Sequence, residues 1–245
     1  MAAVSWQALD DAIARSRDAG RAPTLWWRDD DASERTSAVV RMLALSQASA
    51  VPLALAVVPL IAVPALFERL AARVLMHGTD HRNRAAAEGK KTEFAAAEPA
   101  AQVLRRLDAA RVRLAALAGS AFLPVLSPPW NRFPRALVAH LPEAGLRGFS
   151  AYGPRAASAT GDVAEVNTHV DIIDWHGTRG FVGEDAALAA FLKQLARETE
   201  EPIGVLTHHA MHDRAAWAFL ERLFERTRRA GGHWADAREL FPTAA

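Results

Sequence analysis

The chain has 245 residues, with 29 lysine and arginine residues, 28 acidic residues and no cysteine. A near-neutral chain in which 51% of the residues are hydrophobic is neither disordered nor built around a basic nucleic-acid surface. Without cysteine it can form no disulfide and no thiolate site, so any metal must be held by histidine and carboxylate side chains. The length is typical of a single domain, here spanning residues 1–245.

The sequence shows no pattern of a secretion signal or a membrane span. Asp10, Asp11 and Arg15 interrupt the first twenty residues, which follow an amphipathic pattern. The most apolar stretch, residues 51–66, contains three prolines and is too short to span a bilayer. We therefore expect a cytoplasmic protein with no membrane span and no nucleic-acid partner.

Short apolar runs alternate with longer amphipathic segments. The runs predict strands over residues 24–28, 51–58, 73–77, 121–126, 146–152, 170–175 and 203–208. The amphipathic segments predict helices over residues 33–49, 100–117, 185–198 and 214–229. This alternation predicts an α/β fold, a distorted (β/α) barrel of about seven parallel strands, with an open doubly wound sheet as the alternative. Residues 83–99 lack periodicity and are predicted to form an exposed loop.

Carboxylates and histidines collect where three of these strands end. The first strand ends in Arg28-Asp29-Asp30-Asp31, the third in His77 followed by His81, and the seventh in His208-His209. Taken singly, the aspartates are typical of a helix cap and the histidines of surface or core positions. Because the carboxyl ends of parallel strands meet at one edge of the sheet, their combination indicates a functional site.

The residue types indicate metal-assisted hydrolysis. Two histidines four residues apart and a carboxylate from another strand can hold one divalent ion and leave positions open. A second carboxylate can accept the proton of an attacking water, and a histidine from the opposite side can protonate the leaving group.

Five ordered motifs, spread over about residues 24–209, carry a family resemblance. They are Asp29-Asp30, His77 with His81, Ser127-Pro128-Pro129-Trp130, Asp171 with Asp174-Trp175, and Leu206 with His208. In this order the motifs resemble those of the polysaccharide deacetylase family, which has the NodB homology fold. The resemblance implies that Asp29 is the general base and His208 the general acid. It also implies a divalent metal, with Zn²⁺ the first expectation, held by Asp30, His77 and His81.

The resemblance further implies removal of an acyl group, usually acetyl, from an amino or hydroxyl group of a small acylated saccharide or sugar-bearing precursor. Substrate-binding or supporting roles are expected for Arg28, Trp130, Asn131, Arg132, Asp174, Trp175 and Leu206. The tryptophans would form walls of a substrate groove, although packing roles are equally compatible with their positions, and Leu206 would line a pocket for the acyl methyl group.

Three positions depart from the family pattern. Arg28 stands where an aromatic residue is usual, Asp31 adds a third aspartate, and Ser127 replaces the arginine that pairs with the catalytic aspartate. Either Arg28 or Arg132 would have to place a positive charge beside Asp29.

Two other functions remain open at the level of the sequence. The same fold is compatible with an amidase acting on a formamido sugar or a ureide, and with a non-catalytic carbohydrate-binding protein that retains a metal. The substrate, the metal and the oligomeric state are not determined by the sequence.

Overall fold

A computed structural model of the chain describes residues 4–156, 160–197 and 199–242. In this part of the chain, nine strands form one sheet, and all pairings between them are parallel. The strands are β1 (Thr24–Ala32), β2 (Leu53–Val57), β3 (Arg73–His77), β4 (Phe122–Ser127), β5 (Gly148–Phe149), β6 (Ala164–Glu165), β7 (Val170–Asp171), β8 (Ile203–Thr207) and β9 (His233–Trp234). Their order is β6-β5-β4-β3-β2-β1-β8-β7, with β9 also beside β1. The sheet curls into a half-barrel, which confirms the predicted fold.

Six α-helices accompany the sheet in the described residues. They are α1 (Trp6–Asp18), α2 (Ser37–Ser49), α3 (Ala100–Ala118), α4 (Glu184–Leu195), α5 (Arg214–Ala230) and α6 (Ala237–Leu240). The Asp213 side chain accepts a hydrogen bond from the Ala216 amide at the start of α5, and Gly231, with φ of 100°, ends that helix. Residue 198, the last of the helix predicted over 185–198, lies outside the described residues. No helix among those described is long and apolar enough to cross a membrane.

Two of the predicted strands are much shorter than expected. Residues 146–152 and 170–175 contribute only the two-residue strands β5 and β7. After β7 the chain leaves the sheet because the Asp171 side chain accepts a hydrogen bond from the Ile173 amide at 2.9 Å. The strands β6 and β9, two residues each, are too short to show an alternating pattern, so the sequence did not predict them.

Side chains of β1 alternate between two packing layers. Trp27 belongs to the large core between sheet and helices, with its ring centroid 4.8 Å from that of Phe224 in α5. Trp26 belongs to a smaller cluster on the opposite, concave face, which includes Ala54 and Ala56 of β2. Period-two alternation places Arg28 and Asp30 on the concave face with Trp26, and Asp29 on the helix-covered face with Trp27. The fold therefore separates the neighbouring aspartates.

Candidate metal and catalytic site

A carboxylate and two imidazoles meet at the carboxyl end of β1 and β3. Oδ1 of Asp31 lies 3.0 Å from Nε2 of His77 and 3.1 Å from Nε2 of His81. One ligand atom from each residue lies within 4.8 Å of those of the other two. The structure thus brings Asp31, and not the predicted Asp30, to the two histidines. The reason is a bulge in β1 between Asp29 and Ala32, where Asp31 has φ of 71°.

This donor set suits a divalent metal ion. Two imidazole nitrogens and one carboxylate oxygen leave further coordination positions open, as catalytic zinc sites require. Burial opposes ionisation of Asp31, but hydrogen bonds from His77 and His81 outweigh it and hold the pKa of its carboxyl well below the usual range. Burial also disfavours the charged form of His77, yet the charges of Asp30 and Asp31 raise its pKa. The residues therefore favour a concentrated positive charge at this point.

Asp30 forms a separate, buried ion pair with Arg28. Nε of Arg28 lies 2.8 Å from Oδ1 of Asp30, and Nη2 donates to Oδ2 at 3.0 Å. Nη2 also donates to Oδ1 of Asn131 at 2.9 Å, and Nη1 donates to the Ser150 carbonyl at 2.9 Å. Arg28 is fully buried and Asp30 is 1% exposed. Arg28 therefore supplies a positive charge to Asp30 and not to Asp29, whereas Arg132 donates to the Lys91 carbonyl at 2.7 Å.

Asp29, the predicted base, lies away from Asp31, His77 and His81, on the helix-covered face of β1. Its carboxylate is fully buried, with Oδ1 2.5 Å from Nδ1 of His209 and Oδ2 accepting from the Thr207 hydroxyl at 2.7 Å. Burial opposes ionisation, but the charge and hydrogen bond of His209 lower the pKa of Asp29. Burial likewise opposes the charged form of His209, whose pKa Asp29 raises. Asp29 does not line the cavity described below.

His208, the predicted acid, lines the same cavity as His77 and His81. The rings of His208 and Trp175 are nearly perpendicular, and their centroids lie 4.6 Å apart. Nδ1 of His208 is buried and has no hydrogen-bond partner among the described residues. Nearby, Asp171 accepts from Nε1 of Trp175 at 2.8 Å, and burial raises the pKa of Asp171 despite the opposing charge of His208.

Glu93 organises the segment that carries His77 and His81. Oε1 accepts from the Thr79 amide at 2.8 Å, and Oε2 accepts from the His81 amide at 3.1 Å. Gly78, with φ of 61°, leaves room for this carboxylate: a Cβ there would lie 2.2 Å from Oε2 of Glu93. Glu93 is fully buried, so the prediction of an exposed loop over residues 83–99 is wrong at this position. No spacing in the sequence distinguishes Glu93.

The cavity above these residues has a volume of about 930 Å³. The residues that line it include Trp130, Asn131, Arg132, Asp174, Trp175, His77, His81 and His208. Leu206 does not line the cavity; it is fully buried in β8, where it pairs with Arg28 of β1 in the strand ladder. Of the seven non-glycine residues with positive φ in the described chain, five line the cavity: Asp31, His81, Trp130, Asn131 and Arg179. Such concentrated strain is characteristic of functional sites.

Cations and aromatic rings surround the cavity mouth. Lys91, Arg132 and Arg179 line it and have no carboxylate partner among the described residues. Asp174, in contrast, accepts hydrogen bonds from the amides of Gly177 and Thr178 at 2.9 and 3.0 Å. The cavity lining therefore combines three cations with aromatic rings and aspartates.

Comparison with known proteins shows what this architecture resembles. No family model matches the sequence, and no curated protein matches it. A putative polysaccharide deacetylase from Mycobacterium smegmatis has a similar solved structure, with a TM-score of 0.61 and 15% identity, covering 91% of this chain and 93% of that one. The Bc1960 peptidoglycan N-acetylglucosamine deacetylase gives a TM-score of 0.57 and 14% identity, covering 91% and 89%.

A family 4 carbohydrate esterase from Streptomyces lividans, solved with acetate, is also similar, with a TM-score of 0.56 and 13% identity over 86% of this chain and 91% of that one. The resemblance inferred from the ordered motifs is thus confirmed in three dimensions. The chain has the fold of the polysaccharide deacetylases.

Proposed function

We propose that this protein is a metal-dependent hydrolase that removes an acyl group, with acetyl the first expectation, from an amino or hydroxyl group of a saccharide. The observation that carries the proposal is the meeting of three groups at one cavity: Asp31 with His77 and His81, Asp30 with Arg28, and His208. The deacetylases and the esterase among the similar structures support this class of reaction.

The metal would be held by Asp31, His77 and His81, and Zn²⁺ suits this set best. When bound, such an ion acts as a Lewis acid toward the acyl carbonyl. This assignment moves the ligand from Asp30 to Asp31, one residue along the chain.

Asp30 is assigned as the general base that accepts the proton of the attacking water. Its two oxygens face the buried Arg28 guanidinium, which fixes the carboxylate and balances its charge inside the protein. Arg28, from the same strand, therefore pairs with the proposed base, which is the role expected of an arginine at the position of Ser127. The Ser127 side chain is itself buried with no hydrogen-bond partner in the described chain.

His208 is assigned as the general acid that protonates the departing amino or hydroxyl group. It lines the same cavity and directly follows β8, whereas Asp30 belongs to β1, so base and acid come from different segments of the chain. Trp175 holds the His208 ring by an edge contact, and Trp130, whose ring lies 4.5 Å from that of His81, offers a face for a sugar ring.

Substitution of three residues tests these assignments through two measurements on the same preparations, metal content and acetate release from acetylated sugars. Asp31→Ala should lose metal and activity together, because two histidines alone hold an ion weakly, and both should recover partly at high metal concentration. Asp30→Asn and His208→Ala should keep the metal and lose about 10²- to 10⁴-fold in turnover.

The outcomes distinguish the alternative assignments. Loss of metal in Asp30→Asn with normal metal in Asp31→Ala would return the ligand role to Asp30. A wild-type protein that binds Zn²⁺ but releases neither acetate nor formate from N- and O-acylated sugars would refute the hydrolase proposal and favour a carbohydrate-binding role.

The cations at the cavity mouth, which have no carboxylate partner among the described residues, predict a preference for anionic substrates. Acetate release from N-acetylglucosamine 6-phosphate should have a kcat/KM about tenfold above that of N-acetylglucosamine, through electrostatic attraction that salt weakens. Replacement of Lys91 and Arg179 by glutamine should abolish this difference and leave the neutral sugar unaffected. An equal kcat/KM for both sugars at low salt would contradict the prediction.

A further inference from the structure

Two neighbouring carboxylates of β1 belong to two separate buried networks. Asp30 faces Arg28 at the cavity, whereas Asp29 contacts His209 and Thr207 on the other face of the strand. The hydroxyl of Thr207 accepts in turn from Nε1 of Trp27 at 2.9 Å. His209 is 6% exposed and, like Asp29, does not line the cavity. The second network therefore has no direct access to a substrate.

The position of this pair in the chain is informative. Asp29 immediately precedes Asp30, and His209 immediately follows His208. The parallel ladder between β1 and β8 ends with the Asp29–Thr207 pairing, so His208 lies just beyond its last step. After His208 the chain enters a single 3-10 turn, His209–Met211. The side-chain contact between Asp29 and His209 therefore joins β1 to the segment after β8, just beyond the last backbone pairing of the two strands.

Stability alone gives a weak reason for a buried ion pair at this place. Removing two charges from water is costly, and well-packed apolar residues of similar size often stabilise a protein equally well or better. An apolar pair lacks a directional contact. The hydrogen bond fixes both the distance and the angle between one oxygen of Asp29 and Nδ1 of His209.

We propose that Asp29 and His209 are positioning residues that hold His208 at its working distance from Asp30. This inference rests on the proposed function, in which Asp30 is the base and His208 the acid. The pair acts through its neighbours and touches neither substrate nor metal. Because a misplacement of about 1 Å at a reacting group can reduce turnover by about 10²-fold, a rigid link here has a large effect on rate.

The decisive variant is the double substitution Asp29→Ala with His209→Leu, which removes both charges and nearly keeps the summed side-chain volume of the pair. We expect it to fold, to bind one Zn²⁺ per chain and to keep its KM, while kcat falls about tenfold or more. Asp29→Asn retains an acceptor for Nδ1–H of His209, so its loss in kcat should be smaller. A larger loss of kcat in the double variant than in Asp29→Asn would not follow from a purely structural role. A structural role predicts changes in stability without a selective change in kcat.

A matched control replaces another ion pair remote from the cavity. Arg73 and Asp236 lie 2.8 Å apart where β3 begins and α6 is capped. The combination Arg73→Met with Asp236→Asn should lower the thermal midpoint and leave kcat unchanged.

Crystal structures of wild type and the double variant provide a readout that needs no activity. The proposal predicts that the His208 ring moves by about 1 Å or more relative to Asp30 in the double variant. If the wild-type protein proves inactive but His208 still moves in the double variant, the proposed function is refuted while the positioning role is upheld. An unmoved His208 together with an unchanged kcat would overturn positioning, as would a loss confined to metal binding. If the double variant does not fold, an unchanged kcat in both Asp29→Asn and His209→Gln would overturn positioning in its place.

Discussion

Arg28 is the residue on which the proposed base depends. Its guanidinium is fully buried and contacts Asp30, Asn131 and Ser150 from a single strand position. This geometry requires the planar fork of arginine, since an ammonium group cannot reach a carboxylate, an amide oxygen and a carbonyl together.

Arg28→Met should therefore be strongly destabilising, by about 3–5 kcal/mol, because it leaves the Asp30 carboxylate buried without a counter-charge. Arg28→Lys should be less destabilising but still lower kcat, since the charge remains while the bidentate geometry is lost. Urea unfolding and acetate release would measure the two effects. Equal turnover in wild type and Arg28→Lys would show that geometry at this position is unimportant.

The sequence located the acidic strand end, but the geometry favours roles one residue later than the motifs suggest. Three consecutive aspartates are compatible with two alignments to a two-aspartate motif. Strand alternation could distinguish Asp29 from Asp30, but it could not assign Asp31, because the bulge interrupts the alternation there. The histidines at 77, 81 and 208 line one cavity, and each stands at or shortly after the end of a strand that the sequence predicts.

At the level of elements, the connection between β3 and α3 is more than a loop. Its buried Glu93 binds backbone amides on both sides of the turn that separates His77 from His81. Such contacts to a segment that carries the proposed metal ligands are expected to affect metal affinity.

Glu93→Gln should weaken Zn²⁺ binding by about 10- to 100-fold, because an NH2 group, which cannot accept a hydrogen bond, replaces one of the two accepting oxygens. Calorimetric titration of the metal-free protein with Zn²⁺ would measure the change. Glu88→Gln, an exposed position in the same connection, is the control and should bind like wild type. Unchanged affinity in Glu93→Gln would mean that the turn is held by other contacts.

The sequence predicted the bounds of the central strands more accurately than those of the peripheral strands. Strand β3 has the bounds that its apolar run predicts, since a buried parallel strand is continuously apolar. Strands β5 and β7 end early because side chains such as Asp171 take over the backbone hydrogen bonds, an effect of local contacts that hydrophobicity does not report.

At the scale of the whole molecule, His212 links stability to pH. Burial lowers its pKa from 6.5 to about 4, and neither ring nitrogen has a hydrogen-bond partner in the described chain. Between these two values the unfolded chain binds a proton that the folded protein does not. The contribution of His212 to the free energy of unfolding is therefore lost as the pH falls from 6.5 toward 4.

His212→Phe should reduce the difference in unfolding free energy between pH 7 and pH 5, because it removes this proton uptake while preserving a ring against Trp217. Urea denaturation at the two pH values would measure it, with the exposed His140→Gln as control. An unchanged pH dependence would indicate that His212 binds protons equally in the folded and the unfolded protein.

The bulge at the end of β1 makes the length of this segment as important as its composition. Arg28 and Asp30 share the concave face, Asp29 faces the helix-covered core with His209, and Asp31 reaches His77. A deletion of one residue here would reassign every carboxylate at once, turning the metal-facing group toward Arg28 and the Arg28-facing group into the helix-covered core. Single substitutions at these four positions alter one function each, whereas a change in length removes all of them together. Insertions and deletions in this segment should therefore be rejected throughout the evolution of the protein, even where its surface loops vary freely in length.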